Sequence, residues 1–239
     1  MTKRGDGRVE LNAETLCGIS LFKQLTTQER RALVSHCHAR RYRATQLIIS
    51  HHDNTQDVFF VISGTLRATL YSLGGKQVTF TDIGAGQMFG ELSAIDGAPR
   101  SAHVVATSDA LVVSMSPQDF WQTLRTYPPV AEATLKRLTR LVRFLSERIF
   151  EVCTLPVKDR IHVELLHLAQ EHMRDDNTAC ITPAPTHADI ASRIGTHREA
   201  VTRALNDLKS NGLLTRRRGV LVVSDVNQLT RLVNNALGI

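Results

Sequence analysis

Hydrophobic and polar positions follow two different patterns along the chain. From about residue 40 to 116, short runs rich in β-branched and aromatic residues alternate with glycine-containing turns. From Val130 to about Cys153, apolar residues recur every three or four positions. The first pattern is typical of short antiparallel strands and the second of an amphipathic helix. The chain is therefore expected to contain a β-rich domain followed by one long helix.

The β-rich part contains six runs that read as strands. They cover residues 46–49, 57–62, 65–71, 77–80, 103–106 and 110–115. So many short strands at close spacing predict an antiparallel barrel or sandwich. Before them, Thr26 and Glu29 have the spacing of a capping box, which predicts the start of a short helix.

The apolar stripe of the long helix is narrow and is flanked by charged residues. It comprises Ala131, Leu135, Leu138, Leu141, Val142, Leu145, Ile149 and Val152. A helix of this length needs a large partner surface, either its own β-rich domain or a second copy of the same helix. The narrow stripe favours a parallel dimer. Because Pro156 cannot continue a helix, we predict three parts, residues 1–129, 130–154 and 155–239.

The C-terminal part carries the pattern of a helix-turn-helix between residues 186 and 208. Thr186 is placed to cap a short helix that buries Ile190, and Gly195 makes the turn. Thr196 is placed to cap a second helix that buries Val201, Leu205 and Leu208. Two short helices joined through a glycine are typical of DNA-binding domains, in which the second helix reads the major groove.

The outward face of the second helix begins with Arg198, Glu199, Thr202 and Arg203. Each arginine can donate two hydrogen bonds to guanine, and a glutamate can accept one from cytosine. The alternatives are a solvated or phosphate-contacting face for the arginines and a capping box with Thr196 for Glu199. Base reading is favoured for both arginines and is an even choice for Glu199.

Residues 213–223 read as a β-hairpin wing with three adjacent arginines at its tip. Beside a helix-turn-helix, this arrangement favours a phosphate clamp over a charge run that only solubilises the protein. The residues predicted to contact DNA are Thr186, Thr196, His197, Arg198, Glu199, Thr202, Arg203, Arg216, Arg217 and Arg218.

A ligand site is predicted by the run from Phe89 to Ala102. Glu91 and Arg100 stand nine positions apart, with a Gly-Pro-containing turn between them. The carboxylate can accept hydrogen bonds from a ribose hydroxyl, and the guanidinium can hold a phosphate with two parallel bonds. The alternative is an ordinary glycine-rich surface turn. The run resembles the phosphate-binding cassette of cyclic-nucleotide-binding domains.

The order of β-rich part, long helix, proline and winged helix-turn-helix resembles the CRP/FNR family of bacterial transcription regulators from about residue 20 onward. The resemblance implies an α+β fold, with an antiparallel β-roll that binds a cyclic nucleotide, a long dimerisation helix and a C-terminal winged helix-turn-helix domain. It also implies that Gly90, Glu91 and Leu92 hold the ribose and one edge of the phosphate. Arg100 and Ser101 would hold the cyclic phosphate.

The chain departs from the family pattern at Leu145-Ser146. The catabolite-activator branch has a Thr-Ser pair there, which recognises adenine with one residue from each subunit. Because the phosphate–ribose half of the pattern is intact, cAMP is the first expectation for the allosteric ligand. Because leucine cannot hydrogen-bond a base, cGMP or relaxed recognition of several cyclic nucleotides is the alternative. A domain that senses another signal, such as haem, or none is a further alternative. The spacing of Arg198, Glu199 and Arg203 matches the branch that reads TGTGA half-sites, which implies a palindromic DNA target.

Composition changes this picture little. The 239 residues are 42% hydrophobic, carry a formal net charge of +6, and contain no apolar run long enough to cross a bilayer. The four cysteines are scattered and predict free thiols, and the sequence offers no complete metal-ligand set or nucleophile–base pair. These features predict a cytoplasmic protein without prosthetic group or enzymatic activity. The family resemblance further implies a bacterial homodimer that binds palindromic DNA and acts with RNA polymerase.

Overall fold

The computed structural model describes residues 8–9 and 11–238. Its helices are α1 (Ala13–Cys17), α2 (Thr27–Val34), α3 (Glu91–Asp96), α4 (Pro117–Thr126), α5 (Pro128–Thr154), α6 (Val157–Gln170), α7 (His187–Ile194), α8 (Arg198–Ser210) and α9 (Val226–Leu237). Its strands are β1 (Arg8–Val9), β2 (Cys37–Tyr42), β3 (Leu47–Ile49), β4 (Val58–Ser63), β5 (Leu66–Tyr71), β6 (Gln77–Ile83), β7 (Met88–Phe89), β8 (His103–Ala106), β9 (Ala110–Met115), β10 (Ala179–Ile181), β11 (Leu214–Arg217) and β12 (Val220–Val223). The described residues divide into two compact units, one made of those up to 70 together with 79–141, and the other of 71–78 together with those from 142 onward.

The β-rich domain consists of two antiparallel sheets. The strand order is β1-β2-β9-β4-β7 in one sheet and β3-β8-β5-β6 in the other. All six predicted strands are present, with ends that differ from the prediction by at most three residues. The predicted α+β fold is confirmed, because these antiparallel sheets are followed by a long helix and a helix-turn-helix.

The sequence pattern alone does not reveal β2. Its outward positions carry charged side chains such as Arg40, while Cys37, Ala39 and Tyr42 are buried. The strand pairs with β9 along its whole length, from Cys37 opposite Met115 onward. Pairing and burial in the folded protein therefore outweigh the weak β-propensity of this segment.

The first unit ends in helices that close its core. Phe120 of α4 and Val130 of α5 are fully buried in the same cluster as Phe22 and Phe60. The predicted capping box is confirmed at the start of α2, where the side chain of Thr26 and that of its partner three residues later each bond the other's backbone N–H. This packing fixes the first turns of α5 on the β-rich domain.

α5 is one continuous helix of 27 residues. Its buried side includes Val130 and Thr134, whereas Leu135, Val142 and Ile149 are each about two-thirds exposed. These three exposed residues are seven positions apart, which is the repeat of a coiled-coil seam. The predicted apolar stripe thus faces outward over much of the helix.

The second unit contains α6 to α9 and the sheet β10-β12-β11 around one core. Gly195, in the left-handed conformation with φ 70°, ends α7 and begins the turn to α8. Val201, Leu205 and Leu208 are buried as predicted. The strands β11 and β12 form the predicted hairpin wing. Within the described ranges, no helix has the length and apolar character that a membrane span requires.

The prediction that Thr196 caps α8 is wrong. His197 occupies the N-cap position and makes no side-chain capping bond. The Thr196 N–H donates instead to the carbonyl of Ala191, because the left-handed turn at Gly195 directs it back toward α7. The capping-box alternative for Glu199 is excluded for the same reason.

Candidate ligand cassette and nucleic-acid interface

Gly90 permits a close approach that any side chain would block. Its φ is +78°, and a Cβ atom there would lie 2.8 Å from Nη1 of Arg100 and 3.0 Å from the carbonyl oxygen of Asp57. Both the positive φ and the space favour glycine. Gly90 therefore lets the guanidinium of Arg100 lie directly against the turn that precedes α3.

Arg100 is held inside the cassette by neutral acceptors. It is 2% exposed. Its Nε donates to Oγ1 of Thr55 at 3.0 Å, Nη1 to the carbonyl of Gly90 at 2.8 Å, and Nη2 to the carbonyl of Asp57 at 2.8 Å. Phe59 places its ring 5.6 Å from the guanidinium carbon. Burial lowers the pKa of Arg100, and nearby carboxylates oppose that effect.

The guanidinium of Arg100 has N–H donors that its three protein partners do not use. An arginine carries five N–H groups, of which two are on each terminal nitrogen. In Arg100, one N–H of each terminal nitrogen is therefore left after the bonds to Gly90 and Asp57. A phosphate can accept such a pair of hydrogen bonds, one from each nitrogen.

Glu91 is buried next to a cation from the long helix. Its side chain is 5% exposed, and its Oε1 lies 3.8 Å from Nε of Arg137. Nη2 of Arg137 also donates to the carbonyl of Met88 at 2.5 Å. Burial raises the pKa of Glu91, while the charges of Arg137 and Arg100 act in the opposite direction.

Arg137 is a partner of the cassette carboxylate that the sequence did not single out. In the sequence it belongs to the charged flank of the α5 stripe. One signal was available, since the positions four residues away on either side, Ala133 and Leu141, offer no carboxylate to pair with it. An arginine without an acid partner in its own helix is free to bond elsewhere.

The other predicted ligand residues are more exposed. Leu92 is 39% exposed, and Ser101 is also exposed. Leu145 belongs to the outward stripe of α5 at 39% exposure, and the hydroxyl of Ser146 donates to the carbonyl of Val142 in the same helix. The structure thus brings together Gly90, Glu91 and Arg100 and leaves Leu145 and Ser146, the pair predicted to recognise the base, exposed on α5.

The start of the helix-turn-helix is built as predicted. Thr186 caps α7, and its hydroxyl accepts the N–H of Asp189 while the Asp189 carboxylate accepts the N–H of Thr186. Arg198, Glu199 and Arg203 are exposed on α8, in its first two turns. Their exposure at the helix start is the placement that base reading requires.

Thr202 is oriented by a histidine that the sequence did not single out. Its hydroxyl donates to the carbonyl of Arg198 and lies 2.7 Å from Nδ1 of His187. Desolvation, followed by the charges of Arg216 and Arg198, lowers the pKa of His187. The pair joins the first residue of α7 to the second turn of α8. Spacing in the sequence gives no signal for this contact.

The wing presents its arginines to solvent. Arg216, Arg217 and Arg218 are all exposed, and the turn between β11 and β12 has positive φ at Arg218 (44°) and at Gly219 (81°). The carbonyl of Gly219 accepts the N–H of Ala184, which fixes the turn to the segment before α7. Exposed guanidinium groups on a fixed turn suit contact with phosphates.

An ion cluster in the second unit joins three helices. Arg148 of α5 donates from Nη2 to Oε2 of Glu164 in α6, and from Nη1 to Oε2 of Glu151 at 3.0 Å. Nη1 of Arg193 in α7 lies 3.4 Å from the other oxygen of Glu164. The side chain of Glu164 is 1% exposed. Burial alone would lower the pKa of Arg148. The charges and hydrogen bonds of Glu164 and Glu151 have the larger, opposite effect, so the pKa lies above its ordinary value.

Two family models match the chain. Residues 39–127 match the cyclic nucleotide-binding domain, and residues 159–232 match the Crp-like helix-turn-helix domain. The first range contains the whole cassette, and the second contains α7, α8 and the wing.

Curated relatives resemble the chain over most of its length. The cyclic AMP receptor protein of Thermus thermophilus is 27% identical over 219 residues, which cover 90% of this chain and 97% of the relative. The cAMP-activated global transcriptional regulator CRP of Haemophilus influenzae is 26% identical over 191 residues, which cover 80% of this chain and 85% of the relative. A solved structure of a CooA variant from Carboxydothermus hydrogenoformans has a TM-score of 0.78 at 20% identity, covers 95% of this chain and 97% of its own, and shows the same fold.

Proposed function

Because the chain belongs to the CRP/FNR family of DNA-binding transcription regulators, we propose that its cassette binds a cyclic nucleotide that controls the binding of a homodimer to palindromic DNA. The observation that carries this proposal is the joint placement of Gly90, Glu91 and Arg100. A buried carboxylate and a buried guanidinium with two remaining N–H groups match a ribose hydroxyl and a cyclic phosphate.

The ligand expected first is cAMP. Both relatives described above carry cyclic AMP or cAMP in their names. Glu91 would accept from the ribose, and Arg100 would donate to the phosphate, with Leu92 and Ser101 completing that half of the site. Neither of these contacts selects a purine, so cGMP is the alternative.

Selection of the base is assigned to Leu145 and Ser146 by resemblance. Leucine offers no hydrogen bond to a base, whereas the serine hydroxyl can accept one while it donates within its own helix. We therefore expect weak discrimination between cAMP and cGMP. Replacing Leu145→Thr would restore a hydroxyl at this position and raise the preference for cAMP.

Homodimer formation is supported by the outward stripe of α5. A helix that leaves Leu135, Val142 and Ile149 about two-thirds exposed at heptad spacing presents a seam for a second copy. Two copies would place two α8 helices on one DNA molecule, which is why the target is proposed to be a palindrome.

The DNA half-site proposed is TGTGA-like. Arg198 and Arg203 are exposed on α8 and would each donate to a guanine, and Glu199 would accept from a cytosine. Thr186, Thr196, His197, Thr202 and the three wing arginines would contact the backbone. Such a regulator would act with RNA polymerase in the bacterial cytoplasm, and we expect the purified protein to leave cAMP unhydrolysed.

Calorimetric titration tests the ligand. Wild type should bind cAMP or cGMP, and Arg100→Gln should lose most of that affinity because the phosphate loses a charged donor. Arg41→Gln is the matched control, since Arg41 is an exposed arginine of β2. Absence of heat with both nucleotides would exclude the proposal.

A second candidate is a regulator of this family that senses another signal. The observation in its favour is that three of the five Arg100 N–H donors are already bonded to Thr55, Gly90 and Asp57, so the guanidinium is held in place without a ligand. An absorbance spectrum of the purified protein would reveal haem, and its presence together with a silent nucleotide titration would favour this candidate.

A further inference from the structure

A basic pocket lies beside the cassette, between α5 and the loop before β7. Its volume is about 250 Å³, and it is lined by Ser20, Leu21, Gly86, Gln87, Met88, Ala133, Lys136, Arg137 and Arg140. The cassette residues Gly90, Glu91 and Arg100 are not among the lining residues. The pocket therefore lies beside the cassette and shares two residues with its surroundings, Met88 in the strand leading into it and Arg137, which also pairs with Glu91.

The lining offers donors and no carboxylate among the described residues. Lys136, Arg137 and Arg140 contribute three cations, and Ser20 and Gln87 add a hydroxyl and an amide. Arg137 donates to the carbonyl of Met88, and its buried Nε lies 3.8 Å from Oε1 of Glu91 without a hydrogen bond to any described residue. Such a lining attracts anions and repels cations.

Repulsion among the three cations destabilises α5. Lys136 and Arg140 are four positions apart and Arg137 and Arg140 three, and like charges at these spacings destabilise a helix. Glu132 pairs with Lys136 at 2.5 Å, but no acidic residue occurs from position 133 to 146. An anion bound in the pocket would relieve this repulsion.

The wall opposite α5 is shaped by a glycine. A Cβ at Gly86 would lie 2.7 Å from the carbonyl oxygen of Gly18, and its φ is +81°. The carbonyl of Gly86 accepts the N–H of Ser20 at 2.9 Å. Two loops from distant parts of the sequence are thus held together, so that Ser20 and Gln87 line one pocket with the α5 cations.

We propose that this pocket binds a phosphorylated small molecule through Lys136, Arg137 and Arg140, as an effector site distinct from the cyclic-nucleotide cassette. Arginine forks match phosphate oxygens in pairs, and a lysine adds a point charge. The volume is below that of a pocket for a drug-sized ligand, which suits a compact group with two or more phosphates. Its occupant would compete with Met88 and Glu91 for Arg137 and so alter the pairing of the cassette carboxylate.

Calorimetric titration of the full chain with inorganic pyrophosphate, in metal-free buffer, tests the proposal. Wild type should bind one pyrophosphate per chain, and Arg140→Ala should bind it about tenfold more weakly because a charge-assisted contact is lost. Arg140 is exposed, and alanine is a good helix former, so the variant should fold. Arg143→Ala is the matched control, an exposed arginine of the same helix outside the lining, and should match wild type within twofold.

Three results would overturn the proposal. They are no binding to wild type, equal affinity in wild type and Arg140→Ala, and an equal loss in Arg140→Ala and Arg143→Ala, which would indicate diffuse attraction to the helix. Titration of the same variants with cAMP separates this site from the cassette. Selective loss of pyrophosphate in Arg140→Ala supports the pocket even where cAMP fails to bind.

Discussion

Arg100 and Glu91 are 2% and 4% exposed, about as buried as Phe89 at 3%. Burying a charge is unfavourable unless hydrogen bonds or an opposite charge compensate. Arg100 is compensated by a hydroxyl and two carbonyls, and Glu91 by Arg137 at 3.8 Å, by its own backbone N–H and by the charge of Arg100. Incompletely compensated buried charges are typical of functional sites. Each of these two residues therefore has capacity left for a ligand.

The pH dependence of stability should reveal the burial of Glu91. Since burial raises its pKa above the ordinary value of 4.5, the folded protein binds this proton more tightly than the unfolded chain does. The contribution of Glu91 to the free energy of unfolding is then greatest below pH 4.5 and falls as the pH rises through the raised pKa. Glu91→Gln removes this titration.

Urea unfolding of wild type and Glu91→Gln across this pH range measures the effect. The stability of the variant relative to wild type should increase from pH 4.5 upward and then level off. A difference that does not change with pH would show that the carboxylate titrates in the folded protein as it does in the unfolded chain.

At the scale of elements, α5 has two faces with different partners. Val130 and Thr134 are buried on its own domain, whereas Val142 and Ile149 are exposed. Val142→Arg should place a charge in the proposed seam and shift the protein from dimer to monomer in sedimentation experiments. Glu147→Arg, at an exposed position off the apolar stripe, is the control and should remain dimeric. A dimeric Val142→Arg would place the interface elsewhere.

The ion cluster of the second unit should be a major contributor to its stability. Arg148→Met leaves Glu164 buried with only the longer contact to Arg193, and breaking such a buried pair costs about 3 kcal/mol. Lys136→Met breaks the exposed pair with Glu132 and should change the free energy of unfolding by less than about 1 kcal/mol. Urea unfolding measures both. Equal changes in the free energy of unfolding would mean that the buried cluster stabilises the fold no more than the exposed pair does.

Elements with a strong local signal were predictable from the sequence, and contacts between elements were not. The stripe of α5, the capping box at Thr26, the turn at Gly195 and the wing each follow from local residue patterns. The strand β2 depends on pairing with β9. The N-cap of α8 depends on the turn after α7, in which the N–H of Thr196 donates to the carbonyl of Ala191. Neither is encoded in a window of ten residues.

At the scale of the whole molecule, the same division applies to the sites. Four candidate site residues could be predicted from the sequence, because their types and spacing suit contacts with a nucleotide or with DNA. They are Glu91, Arg100, Arg198 and Arg203. The residues that hold them lie far away in the sequence, as Arg137 does from Glu91, at a separation of 46 positions. Motifs predict which groups are candidates to contact a ligand, and the tertiary structure determines how those groups are held.

Control of DNA binding by a cyclic nucleotide can be tested by measuring the affinity of the protein for DNA with and without the nucleotide. Fluorescence anisotropy would give the affinity for a palindromic duplex with TGTGA half-sites, with and without cAMP or cGMP. We predict that at least one nucleotide changes the affinity of wild type about fivefold or more, and that Arg100→Gln shows no such change. Equal affinity for the duplex with and without either nucleotide would contradict control by a cyclic nucleotide.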